Sequence, residues 1–386
     1  MIGHDNGKYE SEAQMSRIFY SVGGEGRGHA TRVRTIIEDL RHRHSITLFA
    51  PGHAYELLAP VYERTNVTVK RIPGILQHNS GSELNYLKTG LFGAKYLVSL
   101  PILVRALRKE IENGQPDLVI TDFEPALPRA AKAYGVPFIS LDHQHFLVVS
   151  DLSSLPEKLQ KKAALMGKVV KSYYQGQKST VVSSFYFPPL KKESKNVTQI
   201  GVLLRPEIVQ MKTENRPYLV AYLRRSASAN VLESLAKCGL EVRVYGLGRR
   251  PSFGCLRFYS VDIYRFVDDL AGCRGLVSTA GNQLVGEALY LGKPVLAMPE
   301  TKNYEQEINA HFLRESGGGW AFGMDELNED ILRQFLNKAG EFKLSFDRNK
   351  LHGNPQALDV IRRHLPQQPR SGVSAARGFR QIEAWA

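Results

Sequence analysis

The sequence is poor in cysteine. Only Cys238, Cys255 and Cys273 occur, none of them in a C-x-x-C pair. That excludes a disulfide framework and the usual zinc-ribbon spacing, and it fits a reducing, cytoplasmic setting. Long apolar runs are also missing: no stretch reaches the roughly 18 residues expected of a membrane-spanning helix. The nearest, Leu91–Val104 (LFGAKYLVSLPILV), is broken by Lys95 and Pro101 and followed by Arg105, Arg108 and Lys109. Its length predicts a core helix ahead of an interfacial one. The opening MIGHDNGKYESEAQ has no apolar centre, so it does not read as a secretory signal. It reads as a disordered leader over residues 1–15, with Met15 as a candidate start and order expected from Arg17. No D-x-D pair and no short-period repeat is present, and the glycines follow no triplet.

Acidic residues are in deficit. Lys and Arg number 51 against 38 Asp and Glu, a net charge of +13 over 386 residues. Such an excess points to a polyanionic partner: nucleic acid, an acidic membrane surface or a phosphorylated substrate. It is uneven. Residues 1–205 hold 27 basic and 18 acidic side chains, and residues 206–386 hold 24 and 20. Two patches, Leu84–Lys109 and Ser153–Lys195, carry most of it. The first has no acidic residue, and the second has nine Lys against two Glu.

What the chain does have is a rhythm of short apolar runs separated by helical patterns. Arg17–Val22, Ser45–Ala50, Asp117–Thr121, Pro137–Leu141 and, more weakly, Thr180–Val182 read as strands, with helices over Ala30–His42 and Pro128–Tyr134. After a polar, proline-bounded stretch the rhythm restarts. Strands are predicted at Tyr218–Leu223, Glu241–Tyr245, Gly275–Ser278 and Pro294–Met298. Helices are predicted at Ser228–Cys238, Asp262–Ala271, Gln283–Leu291, Tyr304–Ser316 and Asp330–Ala339. Strand–helix–strand repetition means parallel sheets covered on both faces. The expected architecture is therefore α/β, with two Rossmann-like domains facing an interdomain cleft. They are an N-terminal domain over 16–203, a linker over 204–217 and a C-terminal domain over 218–364. A tail over 365–386 is expected to pack back on the first domain.

Open α/β sheets bind ligands beyond the carboxyl ends of their strands, so the loops there are the candidates. After the first strand come Gly24, Gly26 and Gly28, followed by His29. The glycines allow a ligand close to the backbone, and the following helix start offers free N–H groups. No Lys-Ser/Thr follows, which excludes a P-loop. His29 is a candidate general base, with helix capping as the alternative. Asp122 and Glu124 follow the strand DLVIT and are candidates for acid–base work or for capping the next helix. Asp142-His143-Gln144-His145 reads as polar lining of the cleft, not a metal site. In the second half, Ser278–Glu287 (STAGNQLVGE) places a small-residue loop and a helix start after a strand, which suits a diphosphate, and Glu287 suits ribose hydroxyls. Asn303 and Gln306 follow the next strand with amides that suit sugar hydroxyls.

The stretch GLVSTAGNQLVGEALYLGKPVLAMPETKNYEQEINAHFLRESGGG resembles the donor-nucleotide signature of GT-B glycosyltransferases. It is most similar to family 28, which includes the lipid-linked N-acetylglucosaminyl transferase of peptidoglycan synthesis. GGEGRGHATR and PDLVITDFEPALPRAAKAYGVPFISLDHQH resemble uncharacterised bacterial and archaeal GT-B proteins, and the likeness spans about residues 16–345. The resemblance implies that Gly281, Asn282 and Gln283 hold a donor diphosphate and that Glu287 binds the ribose. It implies that Gln306 reads the sugar, with Asn309 after it, and that His29 is a base or phosphate contact. Arg224 or Arg225 would supply counter-charge, and Tyr259–Phe266 would hold the base. Thr279 stands where the plant-type box has His, and Thr31-Arg32 stands where family 28 has Pro. The expected activity is transfer of a sugar, from a UDP-linked donor, to an acceptor hydroxyl, with no cofactor and no metal. A lipid-linked or cell-envelope acceptor and contact with the inner face of an anionic membrane are expected, and nucleic acid is not. The alternatives are a nucleotide-sugar epimerase of the same fold and a non-enzymatic nucleotide-binding protein.

Overall fold

The computed structural model describes residues 15–23, 27–74, 79–80, 83–84, 86–224 and 227–366. The expectations for the leader before Met15, Gly24, Gly26, Arg225 and the tail after Pro366 lie outside the described residues. Two larger sheets form the frame. The first contains β1 (Arg17–Val22), β2 (Ser45–Pro51), β3 (Val67–Ile72), β6 (Leu118–Asp122), β7 (Phe138–Asp142), β8 (Thr180–Ser183) and β9 (Val197–Ile200), in the order β3-β2-β1-β6-β7-β8-β9. A small antiparallel pair, β4 (Asn79–Ser80) and β5 (Glu83–Leu84), stands apart. The second contains β10 (Tyr218–Tyr222), β11 (Glu241–Tyr245), β12 (Leu256–Phe258), β13 (Leu276–Ser278), β14 (Val295–Ala297) and β15 (Gly319–Ala321), in the order β12-β11-β10-β13-β14-β15. Every ladder in these two sheets is parallel. Each sheet starts in its middle, winds to one edge, returns and winds to the other, which is the doubly wound topology.

The strands earn their central place by being apolar on both faces. In β1, Ile18, Tyr20 and Val22 point into one core with Val33, Ile36 and Ile37 of α1 (Arg27–Leu40) and with α2 (Gly52–Tyr62). Phe19 points the other way, against Leu103, Leu107 and Ile111 of α3 (Tyr86–Gly114) and Ala130 of α4 (Ala126–Ala133). The α3 helix absorbs Leu91–Val104. Tyr96, Leu100, Leu103, Leu107 and Ile111 recur at three- and four-residue spacing and are buried, which makes it a core helix. Its other face leaves Leu97, Val98 and Ile102 exposed. The basic segment after Ser153 is largely α6 (Glu157–Tyr173), preceded by the short α5 (Phe146–Val149). In the second domain, α8 (Ala229–Ala236) and α12 (Glu329–Lys338) cover one face. The other face is covered by α9 (Ile263–Gly272), α10 (Asn282–Tyr290) and α11 (Tyr304–Glu315).

Two boundaries differ from the sequence reading. The segment expected to be a polar linker begins as core: Leu203 and Leu204 are fully buried, and α7 (Pro206–Val209) follows. The reason is that the chain crosses between domains against α10, where Gly286 lies so close to Val202 that an added Cβ would stand 2.4 Å from its Cγ1. The return to the first domain begins at α13 (Asn354–His364), inside the expected C-terminal domain. Ala357, Leu358 and Ile361 join the core of the first sheet, and Ser179 Oγ and His364 Nε2 are hydrogen-bonded at 2.8 Å. The junction is polar as well as packed. Asn309 Nδ2 donates to Ala280 O at 2.9 Å, and Tyr186, which stacks on Phe312 at 4.2 Å, donates to Asn309 Oδ1 at 2.8 Å.

Candidate active site

In a doubly wound sheet the crevice opens where the strand order reverses, beside the first strand. Here those points are the carboxyl ends of β1 and β6 in one domain and of β10 and β13 in the other. The loops there line a single cleft of about 790 Å³ between the domains. It collects Gly28, His29, Glu124, Arg224, Gly281, Asn282, Gln283, Glu287, Asn303 and Gln306, all singled out in the sequence.

His29 lies in the first turn of α1, not in the loop before it. Its Nδ1 is 2.9 Å from Oδ1 of Asp122, the last residue of β6 and fully buried. Arg32, one turn further along α1, donates through Nε to Asp122 Oδ2 at 2.9 Å and through Nη2 to Oδ1 at 2.6 Å. Arg32 Nη2 also stands 2.9 Å from His29 Nδ1. With its ring proton on Nδ1, His29 donates to Asp122 and leaves the Nε2 lone pair facing outward; with the proton on Nε2, Nδ1 accepts from Arg32 Nη2 instead. Burial alone would raise the Asp122 pKa, but Arg32 and then His29 outweigh it and hold the carboxyl below its usual value.

Glu124 is differently employed. Its oxygens accept from the amides of Ala126 and Leu127 at 2.8 and 2.9 Å and from the Tyr96 hydroxyl at 3.1 Å. This is the capping of α4 that the sequence left open, and burial pushes its pKa up. Its carboxylate is thereby committed to the start of α4 and to Tyr96. Asp142 and His145 bind each other and the Tyr174 hydroxyl inside the fold. His143 is fully buried between Ser183 O and Asn309 Oδ1 and so joins the two domains. Among the described residues no three His, Cys, Asp or Glu side chains gather as metal ligands.

On the other wall, α10 begins at Asn282, and its first-turn amides lack intrahelical acceptors. A Cβ on Gly281 would meet nothing within 4 Å, so this helix start is open. The Asn282 side chain, by contrast, is committed to the first domain: Nδ2 donates to Ser183 O at 3.1 Å and Oδ1 accepts from the Phe185 amide at 3.2 Å. Glu287 is 2% exposed and paired in two-pronged fashion with Arg205 at 3.0 and 2.7 Å. Arg224 donates to Glu300 Oε2 at 3.1 Å, and Gln306 Nε2 does so at 3.0 Å. Asn303 caps α11 by accepting from the Gln306 amide at 3.3 Å. Val261, Ile263 and Phe266, from the segment expected to hold a base, line the cleft near Gly246. Across it, Leu57, Val61, Met166, Val169 and Tyr173 make an apolar wall on the first domain.

Sequence reasoning missed Arg32, Arg205 and the Gln144–Glu305 contact between domains, at 3.3 Å. The signal for Arg32 was its one-turn spacing from His29. Arg205 had none, because its partner lies 82 positions away. An epimerase needs free acid–base carboxylates in the cleft. Asp122, Glu124 and Glu300 are instead tied to Arg32, to the α4 amides and to Arg224 with Gln306.

Known proteins resemble the chain in sequence and fold. An uncharacterised glycosyltransferase of Methanosarcina acetivorans is 26% identical over 341 residues, covering 78% of this chain and 82% of the relative. The structure of UGT89C1 of Arabidopsis thaliana complexed with UDP-L-rhamnose matches with a TM-score of 0.64 at 13% identity, covering 90% of this chain and 98% of that one. MurG of Acinetobacter baumannii matches with a TM-score of 0.55 at 14% identity, covering 90% and 99%. These solved structures share the GT-B fold of two Rossmann-like domains. The model of the family described as glycosyl transferase family 1 matches residues 16–339, and the chain, a GT-B glycosyltransferase, belongs to that family.

Proposed function

We propose that this glycosyltransferase moves a sugar from a nucleoside-diphosphate donor, UDP-linked, to an acceptor hydroxyl, with His29 as the base. The observation that carries the reading is the pairing, across one cleft, of a His–Asp dyad with an open helix start. His29 Nε2 takes the acceptor proton while Asp122 steadies the imidazolium. The acceptor oxygen bonds to the anomeric carbon as the carbon–oxygen bond to the diphosphate breaks, and the diphosphate leaves with the electron pair. The α10 amides and Arg224 face the charge that develops there. This charge stabilisation comes from the chain itself, so turnover is expected to survive a chelator. UDP is supported by the plant neighbour, which is complexed with UDP-L-rhamnose. A thermal-shift screen of nucleoside diphosphates and their sugars tests the reading. A true donor raises Tm by mass action, and a panel without any shift overturns it.

The acceptor is proposed to be lipid-linked. The outward face of α3 shows Leu97, Val98 and Ile102, and that of α6 shows Leu165 and Val169, each more than half exposed. Arg105 and Arg108 of α3 and Lys161, Lys168 and Lys171 of α6 are exposed on the same helices. Tyr96 and Val169 of the same two helices line the cleft. Exposed apolar and cationic side chains on one helix suit an anionic bilayer surface. Co-sedimentation with anionic vesicles, weakened by salt and by Val98→Asp, is expected. Failure to bind such vesicles at low salt would sink this part.

A further inference from the structure

The basic segment Ser153–Lys195 does not end with α6: Lys178, Lys192 and Lys195 follow it, all exposed. Lys178 lines a hollow of about 350 Å³ that is separate from the cleft. Ser179, Asn196 and Thr198 line it from the starts of β8 and β9, and Arg363 and His364 line it from the end of α13. The cleft opens at the carboxyl ends of the first sheet, whereas this hollow lies at the amino ends of its last two strands.

The charge there is one-sided. Lys178, Arg363 and His364 converge from two elements, and among the described residues no Asp or Glu lines the hollow. Arg363 has a carboxylate partner in Asp359, one turn back on α13 at 3.1 Å, but both side chains are mostly exposed and solvent screens the pair. Lys178 pairs with no carboxylate of the described residues. Burial, then Arg363 and Lys178, push the His364 pKa down, as like charges held together do. The carbonyl end of α13 accounts for cations at Arg363 and His364. It does not account for Lys178, which comes from the turn before β8.

The walls are held in place without a ligand. Lys178 N donates to Phe138 O at 2.8 Å, Thr180 N donates to Asn196 O at 2.9 Å, and Ser179 Oγ and His364 Nε2 are hydrogen-bonded at 2.8 Å. The side chains of Asn196 and Thr198 make no hydrogen bond to a described residue, so an amide and a hydroxyl stand ready to donate. An ammonium, a guanidinium, an imidazole, an amide and a hydroxyl around one hollow suit an anion with several acceptor oxygens.

We propose that this hollow is an anion site outside the cleft, which takes the phosphate of a phosphomonoester and thereby ties the returning α13 to the first domain. The phosphate belongs either to a free metabolite or to a lipid headgroup, and the chemistry of the site is the same for both.

The test is isothermal titration of inorganic phosphate and of glycerol 3-phosphate into the full chain, with sodium chloride at matched ionic strength as the control. It compares wild type with the double variant Lys178→Gln, Arg363→Gln, whose replaced side chains are exposed. The double variant is expected to bind both phosphates at least about tenfold more weakly, because two charge-assisted contacts are lost. Phosphate is also expected to shift the His364 imidazole proton resonance, assigned by its loss in His364→Asn. Equal phosphate affinity in the two proteins would place the anion elsewhere and overturn the proposal. So would an equal response to chloride, or a His364 resonance that phosphate leaves unmoved. Co-sedimentation with phosphatidylcholine vesicles containing phosphatidic acid separates the sources. Vesicle binding that the double variant weakens identifies a headgroup, and tight glycerol 3-phosphate binding without it identifies a free phosphomonoester.

Discussion

Replacing His29 with alanine is expected to lower kcat by about 10²–10⁴-fold, the usual contribution of a positioned general base. The groups proposed to hold the donor lie on the other domain, on α10 and around Glu300, so donor affinity is expected to change little. Single-turnover transfer measured beside donor binding separates the two. A loss confined to kcat places His29 in proton transfer. A matching loss of donor affinity points instead to a phosphate contact, and full activity removes the residue from the mechanism. His29→Gln is the stricter variant, since it keeps a polar group near Asp122 without a titratable nitrogen.

Asp122→Ala is expected to destabilise the fold by about 3–5 kcal/mol, because it strands a buried guanidinium. Arg32 is 3% exposed and makes both of its side-chain hydrogen bonds to a carboxylate through Asp122. Denaturant unfolding of wild type and variant measures the difference. The pH dependence carries a sign of its own. The folded pKa of Asp122 is depressed, against the pull of burial, by Arg32 and His29. Its stabilisation is therefore complete above the unfolded carboxyl value of about 4 and is lost as pH falls through the folded value. The variant is expected to show a flatter stability curve below about pH 4 than the wild type. Equal stabilities at neutral pH would mean that Arg32 finds water or another partner.

Much of this was legible in the sequence because it is local. A strand that is apolar on both faces, such as RIFYSV, followed by glycines and a helix, announces a parallel sheet and the place where ligands bind. Gly281, Glu287 and Gln306 are carried by short spacings within one strand–helix unit, and they do meet in the cleft. What escaped was non-local or depended on side-chain direction. Arg205 looked like linker polarity, yet it locks Glu287 from a different element. Asn282 sits at a promising helix start, yet its amide reaches back to Ser183 and Phe185 of the other domain. Glu124 and Asp122 are two residues apart at one strand end. Only the turn at Phe123, with φ of +56°, sends one carboxylate to α1 and the other to α4. The short strands β12 (LRF) and β15 (GWA) escaped because neither contains a β-branched apolar residue, unlike the equally short β13 (LVS) and β14 (VLA).

The uneven charge of the sequence also finds a setting. The basic excess of the first half lies partly on α6, whose Met166 and Val169 line the apolar wall of the cleft and whose Lys162 stands over the Tyr304 ring at 4.8 Å, at the start of α11. Charge and apolar surface together suit the proposed lipid-carrying acceptor, and the α10 amides and Arg224 are the groups proposed to meet the donor phosphates.

The central claim is that the α10 wall of the cleft binds a nucleoside diphosphate with Glu287 on its ribose. The most direct measurement is an isothermal titration of the nucleotide selected by the thermal-shift screen into wild type and Glu287→Gln. The account predicts measurable binding to the wild type and an affinity about tenfold or more lower in the variant, whose amide leaves Arg205 an acceptor but loses the charge that receives the ribose hydroxyls. Equal affinities in the two proteins would contradict it.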